Sequence, residues 1–270
     1  MTKMEDMKGF SYPTPTGKSS VVGDLPWHFG TEHLSIIYRT DPEAIKKFLP
    51  EPLKPGENPD LVVVDFGKWY SLWDSQINMP YINPERTVYN ETVIWVGSSY
   101  NGNQGKTCIQ TWVDNDFTLV RGMFMGFNKK IGQTYKTEYM SENPEMPELG
   151  VGSELRGWTT SHGERLMEGT LKVEEKIDYN NLPDLMNKPL YNIRYFPSIE
   201  KEAPPSVCEL VTLNMKNFRS GNAWKGSGSF KMYSSEIEEY SLLAPEEVLG
   251  AYYYTNGCTI TGGEVLHSWV

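Results

Sequence analysis

Apolar residues in this chain recur mostly at every second position, in β-branched and aromatic company. That alternation predicts half-buried strands. It covers residues 33–40 (HLSIIYRT), 61–73, 87–100, 106–113, 154–160, 165–176, 190–196, 207–217, 223–233, 251–260 and 264–270. Asn101-Gly102 sits between two such runs and predicts a hairpin turn. Helical spacing is confined to short stretches. Asp41-Pro42-Glu43-Ala44 opens one helix, with Asp as cap and Pro at the first helical position, and Pro50 ends it. Phe117, Val120, Phe124 and Phe127 repeat at helical spacing and predict a second helix, which Gly122 and Gly126 weaken. A third is predicted over 244–249, from Ala244-Pro245-Glu246-Glu247. Residues 1–26, rich in Pro, Thr, Ser and Gly, read as an extended N-terminal arm. Residues 27–270 show no composition break and read as a single domain. The expected fold is α+β, mainly antiparallel strands with a few short helices, closing into a barrel or an aromatic-filled sandwich.

Composition narrows the function. The chain has 270 residues, enough for one large core, and 13% of them are aromatic. A formal net charge of -10 argues against nucleic acid as a partner, because phosphate binding needs a basic face. A local pocket can still take a small anion against that global sign. Three cysteines, Cys108, Cys208 and Cys258, are far apart and form no metal-binding or disulfide pattern. Reduced thiols, no apolar leader in the first residues and no run long enough to span a bilayer give the expectation of a cytoplasmic protein without a membrane partner.

Several motifs fail on spacing. His28-Phe29-Gly30-Thr31-Glu32-His33 lacks the i, i+4 histidines of a helical zinc site. Gly226-Ser227-Gly228 lacks the spacing of a nucleophile elbow and reads as a bulge in a strand. Gly150-Val151-Gly152 has no third glycine for a dinucleotide loop. No metal site and no organic cofactor is expected.

What remains is Lys129-Lys130, preceded by Phe124, Met125 and Phe127 and followed by Ile131. An unperturbed lysine, with a pKa of about 10.4, is protonated at neutral pH and cannot attack a carbonyl. Bringing the pKa near 7 raises the neutral fraction roughly a thousandfold and requires about 4–5 kcal/mol of bias against the ammonium. Apolar burial and a nearby second cation both act in that direction. Neighbouring side chains diverge, so only one of the two lysines can enter a given pocket.

The chain resembles the acetoacetate decarboxylase family over nearly its whole length. The matching stretches are residues 35–53 (SIIYRTDPEAIKKFLPEPL), Tyr89-Asn90-Glu91, Tyr100-Asn101-Gly102, 128–132 (NKKIG), 188–210 and Asn222-Ala223-Trp224. The resemblance implies a closed or partly closed β-barrel and a homo-oligomer. It implies Lys129 as a Schiff-base nucleophile beside Lys130 as its basic neighbour, a known arrangement in this family. Glu91 matches the pocket glutamate, Asp65 a second acidic position, and Tyr89 a pocket tyrosine. Phe124, Met125, Phe127 and one late tyrosine, Tyr252 among Tyr252-Tyr253-Tyr254, are the expected substrate contacts. Thr31 stands where the decarboxylases carry an arginine, a departure that leaves open whether acetoacetate itself is the β-keto acid. The implied activity is decarboxylation of a small β-keto acid through an imine. The alternatives are aldol condensation of pyruvate followed by dehydration on the same lysine, and a non-catalytic barrel that binds a small ligand.

Overall fold

The computed structural model describes residues 3–270. Twelve strands form a single sheet. In chain order they are β1 (Trp27–Arg39), β2 (Lys54–Pro55), β3 (Leu61–Trp73), β4 (Val88–Tyr100), β5 (Asn103–Val113), β6 (Lys129–Ile131), β7 (Gln133–Lys136), β8 (Glu154–Ser161), β9 (Glu164–Ile177), β10 (Asn192–Phe196), β11 (Val207–Met232) and β12 (Glu247–Ser268). The short helices are α1 (Pro42–Lys46), α2 (Met79–Ile82), α3 (Asp116–Phe124) and α4 (Asp184–Asn187). The Asp41 carboxylate caps α1 by accepting from Glu43 N, as the sequence predicts. Among the described residues no helix is long and apolar enough to cross a membrane.

The sheet runs β6-β5-β4-β3-β1-β12-β11-β9-β8-β7, with β10 on β11 and β2 on β4. Its pairings are antiparallel except β5 with β6. The two ends of this path, β6 and β7, are separated in sequence only by Gly132. The chain therefore steps directly from one edge of the sheet to the other, and the barrel is partly closed by a covalent seam instead of a ladder. Gly132 is needed there, because a Cβ would lie 2.8 Å from Thr160 O and 2.9 Å from the Trp112 Cβ.

Strand alternation divides the sheet into two faces. One carries Leu34, Ile36, Val64, Phe66, Ile94 and Val96, buried against Leu155, Leu171 and Val173 of β8 and β9. The other carries Phe29, Thr31, His33, Asp65, Tyr89 and Glu91 and forms the wall of a cavity. The N-terminal segment lies along the body, with Phe10 edge-on to Trp27 and Phe124 and with Val22 buried beside Trp27 and Trp73. Met1 and Thr2 of the predicted arm lie outside the described residues.

Three local expectations need correction. Residues 244–249 are not helical: a short 3-10 turn occupies Tyr240–Leu243, and from Glu247 the chain is already in β12. Proline there opens a strand, because Val248 and Glu247 must pair with Tyr38 and Arg39 of β1. The runs at 207–217 and 223–233 are one strand bent by bulges between Lys216 and Arg219 and between Ser220 and Ala223. Likewise 251–260 and 264–270 are one strand. The Gly226-Ser227-Gly228 segment does lie in a strand, with a bulge between Lys225 and Gly226.

Adding a methyl group at the seam tests the closure. Gly132→Ala should cost about 1–3 kcal/mol by overpacking. This is read as a lower denaturation midpoint at unchanged slope.

Candidate active site

Lys129 begins β6, and β6 pairs in parallel with β5 so that Lys129 sits opposite Thr111. Its side chain passes across α3 at Gly122, where a Cβ would fall 2.4 Å from the lysine Cδ and Cε. The helix is therefore interrupted by glycine at the one turn where the lysine stem needs the room. Beyond it the ammonium donates to Glu91 Oε2 at 2.6 Å and to Thr118 Oγ1 at 2.9 Å. It also lies 5.5 Å from the Tyr89 ring centre and 5.4 Å from that of Phe127. The Lys129 and Glu91 side chains are 3% and 4% exposed, so this is a fully desolvated pair.

Burial pushes the Lys129 pKa below the usual lysine range, and the attraction of Glu91 only partly offsets it. The nearby cation that assists is Arg121. Arg121 is buried among the rings of Phe29, Tyr89 and Phe117 and donates to Ser71 Oγ at 3.1 Å. Its Nε and Nη2 have no hydrogen-bond partner among the described residues. Lys130 is not that cation. Alternation on β6 turns it to the opposite face, where it is 39% exposed and donates to Glu238 Oε2 at 2.6 Å.

Tyr89 lies flat on Trp69 and borders the same space, and burial raises its phenol pKa above the ordinary value. Met125 and Phe127 line the cavity; Phe124 does not. α3 turns Phe124 outward, where it stacks on Phe196 and meets Phe10 edge-on. Tyr252 is also outside the site, packed with Leu185 and Met186 near α4. The late tyrosine that borders the cavity is Tyr254, which stacks on His33 at 4.5 Å.

Asp65 is 4% exposed and lies on the cavity wall. Its Oδ2 is 2.6 Å from His33 Nδ1, and its Oδ1 accepts from Ser35 Oγ at 2.7 Å. His33 Nε2 is 2.7 Å from Thr31 Oγ1, Thr31 donates to Asn256 Oδ1, and Asn256 Nδ2 donates to Tyr179 at 2.7 Å. A continuous polar line thus runs along one wall from a buried carboxylate to a half-buried phenol. Thr31 fits into this line as a short hydroxyl where a longer side chain would displace it. The cavity has a volume of about 530 Å³.

Sequence reading missed Thr118, Arg121 and the role of His33, and of the three late tyrosines it chose Tyr252 over Tyr254. Thr118 and Arg121 were detectable in principle, since they lie three apart on the predicted helix and so share a face with Gly122 nearby. His33 was detectable by alternation with Thr31 and Ser35. Nothing in the sequence joined it to Asp65, thirty-two positions away.

The comparisons with known proteins agree with this architecture. A family model described as Acetoacetate decarboxylase (ADC) matches residues 11–269. The acetoacetate decarboxylase of Clostridium botulinum (strain Eklund 17B / Type B) is 24% identical over 100% of this chain and 99% of that protein. The enduracididine biosynthesis enzyme MppR, solved with the condensation product of pyruvate and imidazole 4-carboxaldehyde, superposes with a TM-score of 0.89 at 27% identity, covering 98% of both chains. An acetoacetate decarboxylase-like enzyme from Sphingomonas wittichii RW1 gives a TM-score of 0.86 at 28% identity, covering 92% of this chain and 96% of the other.

Two substitutions probe the lysine environment. Gly122→Ala should displace the Lys129 stem and lower kcat/KM about 100-fold, because misplacement near 1 Å costs that much. The fold should persist, as judged by circular dichroism. Arg121→Met removes a charge that favours the neutral amine, so the Lys129 pKa should rise. The acid limb of the pH–rate profile should then move to higher pH.

Proposed function

The chain belongs to the acetoacetate decarboxylase family, and from that membership we propose that it is a carbon–carbon lyase whose Lys129 forms a Schiff base with a small oxo acid. The observation that carries this reading is the desolvated Lys129 ammonium 2.6 Å from Glu91, with a lowered pKa, on the wall of a cavity large enough for a substrate. A solvated lysine would fit the ligand-binding alternative better.

In the proposed cycle Lys129 passes its proton to Glu91 Oε2 and attacks the ketone carbon. Loss of water gives an iminium, whose positive nitrogen draws in the electron pair of an adjacent bond. With a β-keto acid that bond joins the carboxylate, so carbon dioxide leaves and an enamine remains. Protonation of the enamine carbon, with Glu91 within reach of the nitrogen and Tyr89 beside it, regenerates an iminium. Water then releases the ketone and the free lysine. The names of the curated relatives favour this decarboxylation.

A second reading has a specific observation behind it. MppR has been solved with a condensation product of pyruvate and an aldehyde. On that route pyruvate would lose a methyl proton to form the enamine, which attacks the aldehyde carbon. Loss of water from the adduct then gives an unsaturated oxo acid. The His33, Thr31 and Tyr254 wall supplies polar groups for the departing hydroxyl.

Borohydride reduction followed by intact mass separates these readings. With acetoacetate, decarboxylation should give an adduct on Lys129 that lacks the carboxylate mass. With pyruvate, an adduct retaining the carboxylate and release of an unsaturated oxo acid on adding aldehyde would favour condensation. Lys129→Ala should abolish every adduct at this site. Trapping that survives in that variant, or no adduct with either acid, would refute the Schiff-base reading.

A further inference from the structure

The cavity that holds Lys129 has a second buried lysine in its wall, and neither proposed chemistry uses it. Lys106 lies on β5 and borders the same space as Glu91, Asp65 and Lys129. Its ammonium donates to the Met186 carbonyl at 2.6 Å and sits 4.9 Å from the Trp95 ring centre. Lys106 joins no ion pair among the described residues. The other charged groups deep in the wall are committed: Glu91 to Lys129, and Asp65 to His33 and Ser35. Lys106 thus has a desolvated charge with unused donor capacity, facing a space into which a ligand fits. Burial takes its pKa down to about 8, with the Asp65 charge opposing, so the cationic form prevails at neutral pH.

The position of Lys106 states what it can read. Lys129 is aligned with Thr111, and Lys106 lies five residues further along the same strand, a bulge in β5 reducing this to four pairs on β4, about 13 Å at an extended rise. Between the two ammonium groups stand two rings in contact. Lys129 Nζ is 5.4 Å from the centre of Phe127, Phe127 meets Trp95 edge-to-face at 5.8 Å, and Trp95 carries Lys106. An acid group directly attached to the imine carbon would stay beside Lys129 and Glu91. Only an acid group at the far end of a chain lying along Phe127 and Trp95 meets Lys106.

We propose that Lys106 is the specificity residue of this cavity, and that it binds a carboxylate distal to the reacting carbonyl. The reactant is then an extended carbonyl compound with an apolar middle and an acidic end, either the oxo acid itself or an aldehyde that captures its enamine. This deepens the Schiff-base reading and rests on it for the position of the carbonyl. Aromatic walls suit the apolar middle. A charge-assisted bond to the acid compensates an ammonium that burial otherwise disfavours.

The test uses methyl ketone acids of increasing length, 4-oxopentanoate, 5-oxohexanoate and 7-oxooctanoate, each against its methyl ester. Affinity is read by calorimetry and imine formation by borohydride trapping. In the wild-type protein at pH 7 the acid should bind more tightly than its ester at one of the longer lengths, by about thirtyfold or more, as for a desolvated charge pair. In Lys106→Met that ratio should collapse towards one, and Lys106→Arg should retain part of it. A ratio unchanged in Lys106→Met overturns the assignment, and so does equal weakening of acid and ester, which marks a residue that only packs the wall. Collapse of the ratio with no trapped adduct on Lys129 keeps Lys106 as the carboxylate site and removes the imine reading instead.

Discussion

Everything in this site follows from keeping one ammonium out of water. An isolated buried lysine is costly, and its protein answers in one of two ways: it supplies an anion or it lets the proton go. Here both are present at once. Glu91 lies 2.6 Å from Lys129, yet the pKa of the lysine still falls, because burial outweighs the pairing and Arg121 adds a repulsion. A short contact to a proton acceptor, beside an amine whose charged form burial disfavours, is what a nucleophilic amine requires. The surrounding parts serve that condition. Gly122 lets the lysine stem through, Thr118 holds the nitrogen, and Tyr89 and Phe127 exclude water.

The sheet makes this enclosure possible. A flat sheet would give one dry face and one wet one. This sheet curls until its two ends meet at Gly132, so one face packs across the barrel on β8 and β9 while the other bounds the cavity. The seam also directly follows the strand that carries Lys129. Alternation at that strand then separates two adjacent lysines completely, one desolvated and one paired with Glu238 towards solvent. Adjacency in sequence did not mean proximity of charge, and the cation that acts on Lys129 came from a helix.

By its resemblance to the family, Thr31 is expected to stand where the decarboxylases carry an arginine. Without an arginine there, Asp65 is held by His33 and Ser35, and the polar line continues through Asn256 to Tyr179. A hydrogen-bonded wall around a buried carboxylate therefore borders the same cavity as the lysine. A second buried ammonium lies further along the cavity, at Lys106.

The sequence by itself determined the strand-rich class, the helix at Asp41-Pro42, the helix before Lys129 and the family through which Lys129, Glu91, Tyr89 and Asp65 were identified. Those features are local, or are carried by motifs that survive divergence. Periodicity could not decide where strands merge: the bends in β11 are bulges, and partners across the sheet hold its two halves as one strand. It misjudged Pro245, since pairing with β1 outweighed a local helix signal. Neighbourhood to Lys129 placed Phe124 at the site and the family resemblance placed Tyr252 there, but the helix turns one outward and α4 covers the other. Only tertiary structure chose Arg121 over Lys130 and joined His33 to Asp65. The reason is physical: charge interactions and desolvation depend on distance through space and access of water, and neither is encoded at any single position of the sequence.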